Sequence, residues 1–120
     1  MRGASALEQV LDEHPGSLRA IVVWEPVIWS DVAPPLGAVM GRLHDPRVAQ
    51  FWDPGRLLSR AMVRRWKDTI PALDESTIVW DWVGVWDAGV RWQDGLPQPR
   101  YHGYPVVDAV AELRKHLPRQ

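Results

Sequence analysis

Residues 18–24, Leu18-Arg19-Ala20-Ile21-Val22-Val23-Trp24, make a near-continuous apolar run that Pro26 stops. Such a run reads as a strand covered on both faces, the usual state of a strand in a parallel sheet. A parallel neighbour needs a crossover, so this one segment points to an α/β fold with flanking helices. The segment before it agrees. Over residues 4–14, Leu7, Val10, Leu11 and His14 share one face at helical spacing, Ser5 and Glu8 fit a capping box, and Pro15-Gly16 ends the helix.

The remaining elements follow the same logic. Residues 29–34 read as a loop. A short helix is predicted over residues 35–43, with Pro35 in its first turn and Leu36, Val39, Met40 and Leu43 as its stripe. Residues 47–52 fit either a strand or a helix. Asp53-Pro54 reads as an N-cap followed by proline at the first helical position, opening a helix over residues 54–67. Its inward face is predicted to be Leu57, Leu58, Ala61, Met62 and Trp66.

The strongest strand signal covers residues 77–87. Ile78, Trp80, Trp82 and Trp86 are assigned to one face, and Val79, Asp81, Val83 and Val85 to the other. Asp87-Ala88-Gly89 reads as a hairpin turn and Val90 to Gln93 as the returning strand. A loop follows from Asp94 to Pro99. Pro105 opens a last helix to about His116, with Val106, Val107, Val110, Leu113 and Leu117 as its stripe.

Composition limits the chemistry. The 120 residues fit one domain, residues 1–120, and contain no cysteine, which removes thiolate nucleophiles, redox pairs and thiolate metal sites from this stretch. A formal net charge of −1 argues against nucleic acid as a partner. The basic cluster Arg60, Arg64, Arg65 and Lys67 is read as the solvated face of a helix. Neither a signal peptide nor a run of about 20 apolar residues is present, so no membrane association is expected and the expected location is the cytoplasm. Eight tryptophans are many for this length, and their default use is to fill a small core.

Three strings carry a family resemblance: Val22-Val23-Trp24-Glu25-Pro26, Asp45 through Pro54 (DPRVAQFWDP), and Val79-Trp80-Asp81 leading to Val85-Trp86-Asp87 and Trp92. Over most of residues 5–117 the chain resembles bacterial thioredoxin-fold proteins, some of them selenoproteins, with a long insertion after the second strand. The resemblance implies a thioredoxin-like mixed sheet with flanking helices and an ancestry among thiol-disulfide oxidoreductases. In that family a strand and a CxxC-type motif precede the first helix. Here the first helix begins almost at Met1, so the resemblance implies a domain incomplete at its N-terminus and a gene start upstream. No catalytic residue carries over, and the chain is expected to be redox-inactive. The cis-proline expected before the hairpin is not evident, Pro71 lying too far from Ile78. The missing strand would sit mid-sheet, leaving residues 18–24 and 77–87 without a shared neighbour. The alternatives to an upstream gene start are that the two strands pair directly or that another chain supplies the middle strand.

Candidate binding residues are Trp24, Glu25, Asp53, Arg56, Trp80 and Asp81. Asp45 and Asp53 both precede proline and read as N-caps, with Arg47 and Arg56 as ion-pair partners or as holders of an anion. Glu25 and Asp81 together are a remote candidate for acid–base hydrolysis. His14, His44, His102 and His116 lack metal-ligand spacing, and no phosphate loop or nucleophile elbow is present, so no metal and no cofactor is expected. The alternative to the redox-derived reading is a non-catalytic protein- or peptide-binding module, using open strand edges and a tryptophan-rich surface to hold a partner protein or a second copy.

Overall fold

A first helix, α1 (Arg2–Glu13), leads into strand β1 (Ala20–Trp24). The computed structural model describes residues 2–16, 18–28, 30, 32–69, 78–93 and 95–118. Trp29, Pro71, Thr77 and Asp94, which entered the sequence reading, lie outside these. Helix α1 buries Val10 and Leu11 to 1% exposure, as the spacing required, with Leu7 and His14 half-buried beside them. The helix starts at Arg2, so Ser5 lies inside it and the capping box does not form. Glu8 instead accepts the His44 N–H at 3.0 Å. At the other end Arg47 donates to the carbonyls of Leu11 and His14, each at 2.6 Å, with its guanidinium held by Asp45.

A crossover containing the short helix α2 (Gly37–Met40) brings in β2 (Val48–Trp52), parallel to β1 in the register Ala20↔Val48 through Trp24↔Trp52. Pairing settles the ambiguity of residues 47–52 in favour of a strand. Helix α2 is shorter than predicted, and Leu36 is 77% exposed.

Helix α3 (Leu57–Trp66) starts after Arg56, which takes a left-handed φ of 52°. Pro54 therefore lies in the turn before the helix. The buried face is Ser59, Met62, Val63 and Trp66, whereas Leu57 is 65% exposed. Met62 and Trp66 join Leu96 in a core cluster on which Leu58, Ala61, Val79, Trp82 and Trp86 pack. Trp66 stacks on Trp82 at 5.8 Å between ring centroids, Trp82 meets Trp86 at 6.1 Å, and Trp86 meets Trp92 at 5.2 Å. Tryptophan thus does fill the core on this side of the molecule.

The predicted strand over residues 77–87 contracts to β3 (Val83–Val85), because Asp81 takes a left-handed φ of 50° that no strand continues through. The returning strand is not Val90 to Gln93 but β4 (Tyr101–Gly103), antiparallel to β3 with Val83↔Gly103 and Val85↔Tyr101. Gly89, at φ 85°, makes its local turn with Asp87 accepting from Val90, yet the chain runs on through Pro99 before returning. Helix α4 (Val106–Leu113) follows directly, buries Ala109 and Leu113, and packs on α1, β3 and β4. A single 3-10 turn, Arg114–His116, extends it.

The architecture is mixed α/β with four α-helices and two small sheets among the described residues. There β1 pairs only with β2 and β3 only with β4, so the strands form neither one continuous sheet nor a direct β1–β3 pair.

Candidate functional site

The ends of β1 and β2 lie side by side, and that is where four of the six candidate residues meet. The Asp53 N–H donates to the Trp24 carbonyl at 2.8 Å, extending the parallel ladder by one bond. Glu25 and Asp53 are therefore neighbours across adjacent strands. Both carboxylates turn toward the first turn of α3, whose N–H groups lack helical partners. Asp53 Oδ2 accepts the Leu58 N–H at 2.9 Å, and Glu25 Oε1 accepts the Ser59 N–H at 3.0 Å. Asp53 is not the N-cap the sequence reading made it, since Arg56 takes that position, but from the turn before the helix its carboxylate still satisfies the Leu58 N–H five residues on. Asp45 caps no helix and serves Arg47 instead.

Ser59 is the residue sequence reasoning missed. It is 2% exposed. Its hydroxyl donates to Glu25 Oε2, and its Oγ accepts the Val79 N–H at 3.0 Å. The signal was present: positions 59, 62, 63 and 66 follow helical spacing, with a serine on an otherwise apolar face. Burial is the main cause holding the Glu25 carboxyl above the ordinary carboxylate range, with the adjacent Asp53 charge adding to it and the Ser59 bonds opposing it.

Trp24 is fixed by its Nε1 bond to Gln50 Oε1 at 3.0 Å, and Gln50 in turn donates to the Met40 carbonyl at 3.0 Å. Arg56 donates from Nε to the Pro26 carbonyl at 2.7 Å. The other two candidates lie elsewhere. Asp81 is exposed and accepts the Val106 N–H at 3.2 Å, placing it at the start of α4, and Trp80 beside it is 63% exposed. Glu25 and Asp81 therefore serve different helices and do not form an acid–base pair. Ser59 is no nucleophile either, since its hydroxyl is buried and engaged on both sides.

A second feature is the free edge of β1. In a parallel pair, residues facing the neighbour alternate with residues facing away. The Ala20 N–H bonds the Arg47 carbonyl, and the Trp24 carbonyl accepts from Asp53, so residues 20, 22 and 24 face β2. The N–H and C=O groups of Ile21 and Val23 point to the opposite edge, where no strand pairs with them among the described residues. Ile21 is 65% exposed and Phe51, diagonal to it on the same face, is 55% exposed.

The basic residues of α3 behave as a solvated face: Arg60, Arg64, Arg65 and Lys67 are all exposed. An open hollow of about 310 Å³ lies beside Arg65, Arg91 and Leu96. Among the described residues no group of three or more His, Asp or Glu side chains is placed to hold a metal, and no helix is long and apolar enough to cross a membrane. No protein-family model matches the chain, and neither a curated protein nor a solved structure matches it.

Proposed function

We propose that the chain is a thioredoxin-like domain without redox chemistry that works as a non-catalytic binding module, adding an extended peptide strand to the free edge of β1. The observation that carries the reading is the edge itself. It offers two N–H and two C=O groups from Ile21 and Val23, and β1 has no charge, proline or bulge to protect it. Strand addition draws its affinity from such main-chain groups and its selectivity from alternate side chains. Here the exposed Ile21 side chain on β1 favours apolar residues at alternate positions of the partner. The thioredoxin-like assignment is supported by the order of helix, parallel strand pair, helix, antiparallel pair and helix, together with the three sequence strings. The lack of cysteine supports a non-catalytic role for this stretch.

The test uses an end-capped peptide of alternating threonine and valine, titrated into labelled protein and followed by amide NMR. Binding is expected to slow exchange of the Ile21 and Val23 amides while the Val22 and Trp24 amides, already in the ladder, change little. Ile21→Pro removes a donor that β2 does not use, and is expected to weaken binding about tenfold, the scale of one net hydrogen bond. Retained protection at Val22 and Trp24 reports that the variant is folded. Equal affinity for the variant, or no protection at Ile21 and Val23, would sink the reading.

A further inference from the structure

We infer, resting on the strand-addition reading, that the strand received at the free edge of β1 is β1 of a second copy. The two run antiparallel about a two-fold axis at Val22, giving a four-stranded sheet in the order β2-β1-β1-β2. The edge is self-complementary. Ile21 and Val23 point their N–H and C=O groups away from β2, and no strand pairs with them among the described residues. With the axis at Val22, Ile21 of each copy faces Val23 of the other, and each such pair exchanges two main-chain hydrogen bonds. Every outward N–H and C=O of those two residues is then used. The outer face of the β1–β2 pair carries Ile21, Val23, Ala49 and Phe51, with Ile21 65% and Phe51 55% exposed. Residues directly opposite in an antiparallel pair share a face, so the two apolar faces join on one side of the sheet, Ile21 beside Val23 of the other copy.

Charge selects both the occupant and its register. Arg19 stands just before β1 and Glu25 just after it, equidistant from Val22. Pairing centred on Val22 therefore sets Arg19 of each copy opposite Glu25 of the other, at both ends of the junction. Asp53 lies beside Glu25, one step past the Trp24↔Trp52 register. This acidic corner has room for a cation. Glu25 and Asp53 accept N–H and O–H groups of α3, and Arg56 nearby spends its Nε on the Pro26 carbonyl. Among the described residues no ion pair reaches Glu25 or Asp53, and none holds the exposed Arg19. Other arrangements lose the match. Registers centred on Ile21 or on Val23 set Arg19 opposite Val23 or Glu25 opposite Ile21. An in-register parallel pair sets like charges against each other, which is destabilising. A second copy in the Val22 register supplies both signs where they are wanted.

The test is sedimentation of the native chain from micromolar to millimolar concentration, with amide exchange read on the same samples. The mass is expected to pass from monomer to dimer as concentration rises, and the Ile21 and Val23 amides to gain protection in step. Arg19→Glu places carboxylates opposite each other at both ends and is expected to weaken self-association about tenfold, while Arg19→Lys retains it. Because the chain has no cysteine, single cysteines report the register. Val22→Cys brings two thiols together across a pair that shares no hydrogen bond, and a mild oxidant is expected to join the copies there. Ile21→Cys, offset from its own copy, is expected to join them far less. The threonine–valine peptide, competing for the same edge, is expected to dissociate the dimer. A chain that stays monomeric throughout, while the peptide still protects Ile21 and Val23, would overturn the second copy and leave strand addition standing. A dimer with unprotected Ile21 and Val23 amides, undiminished association of Arg19→Glu, or faster joining through Ile21→Cys than through Val22→Cys would overturn the pairing described. A chain that neither self-associates nor binds the peptide would remove both readings.

Discussion

Ser59 shows how one polar atom governs a local structure. Replacing it by alanine leaves the Val79 N–H and one Glu25 oxygen without their partner at a site 2% exposed. A buried group left unsatisfied costs about 1–3 kcal/mol, so Ser59→Ala is expected to lower unfolding free energy by that amount in a urea titration. Gly84 governs by shape. A Cβ there would lie 2.3 Å from the Trp82 ring and 2.9 Å from Trp86. Gly84→Ala is expected to cost about 1–3 kcal/mol through displacement of those rings, seen as a changed near-ultraviolet tryptophan signal. The sequence pattern placed Trp82 and Trp86 on one face correctly. It left the glycine between them unremarked, because a close approach of two rings is a tertiary event with no local signature.

At the scale of elements, what was legible followed hydrophobic period. The buried pair Val10 and Leu11 in α1, the strand at Ala20–Trp24, and the last helix after Pro105 all appear where spacing put them. What was not legible depended on partners far along the chain. Val90 to Gln93 alternates like a strand, yet Tyr101–Gly103 pairs with β3, since β4 is fixed by its register and by α4 packing on it. Of the candidate site, the positions along the chain were legible and the meeting of the residues was not. Trp24 and Glu25 read as the end of one strand and Asp53 and Arg56 as the approach to the next helix, but only the parallel β1–β2 pairing brings them together. Glu25 was set against Asp81 instead, and Asp81 leaves strand geometry at φ 50°. Caps are testable at this scale. Asp53→Ala removes the acceptor for the Leu58 N–H at the start of α3 and is expected to cost about 1 kcal/mol, measured by chemical unfolding.

The whole molecule presents a large surface for its mass. It exposes 8239 Å² of surface, whereas a folded monomer of this mass would expose roughly 6,600 Å². Among the described residues the two small sheets do not merge, and single polar contacts such as those of Ser59 and Arg47 link the elements around them. Two of them bear on the response to pH with opposite sign, beside the surface carboxyls of Glu13 and Glu112, which Arg114 and Lys115 hold low. Asp45, held by Arg47, has its carboxyl lowered to about 2 from an ordinary 3.8, so its contribution is present above 3.8 and is lost as pH falls through about 2. Arg47 then loses its anchor while still bonded to the end of α1. Glu25 runs the other way: its carboxyl is raised by burial, so its contribution is present below 4.5 and is lost as pH rises through its folded titration. Thermal unfolding across pH is therefore expected to show a loss of stability toward pH 2 and a second loss as pH rises through the Glu25 titration. Asp45→Asn should reduce the first loss, to which Glu13 and Glu112 also contribute, and leave the second unchanged, whereas Glu25→Gln should remove the second and leave the first. The residues lie on opposite sides of the β1–β2 pair, one before β2 and the other after β1, with no shared hydrogen-bond partner, so the double variant is expected to show the sum of the two effects. A change in both losses in either single variant would mean that the two ends of the strand pair respond as one unit.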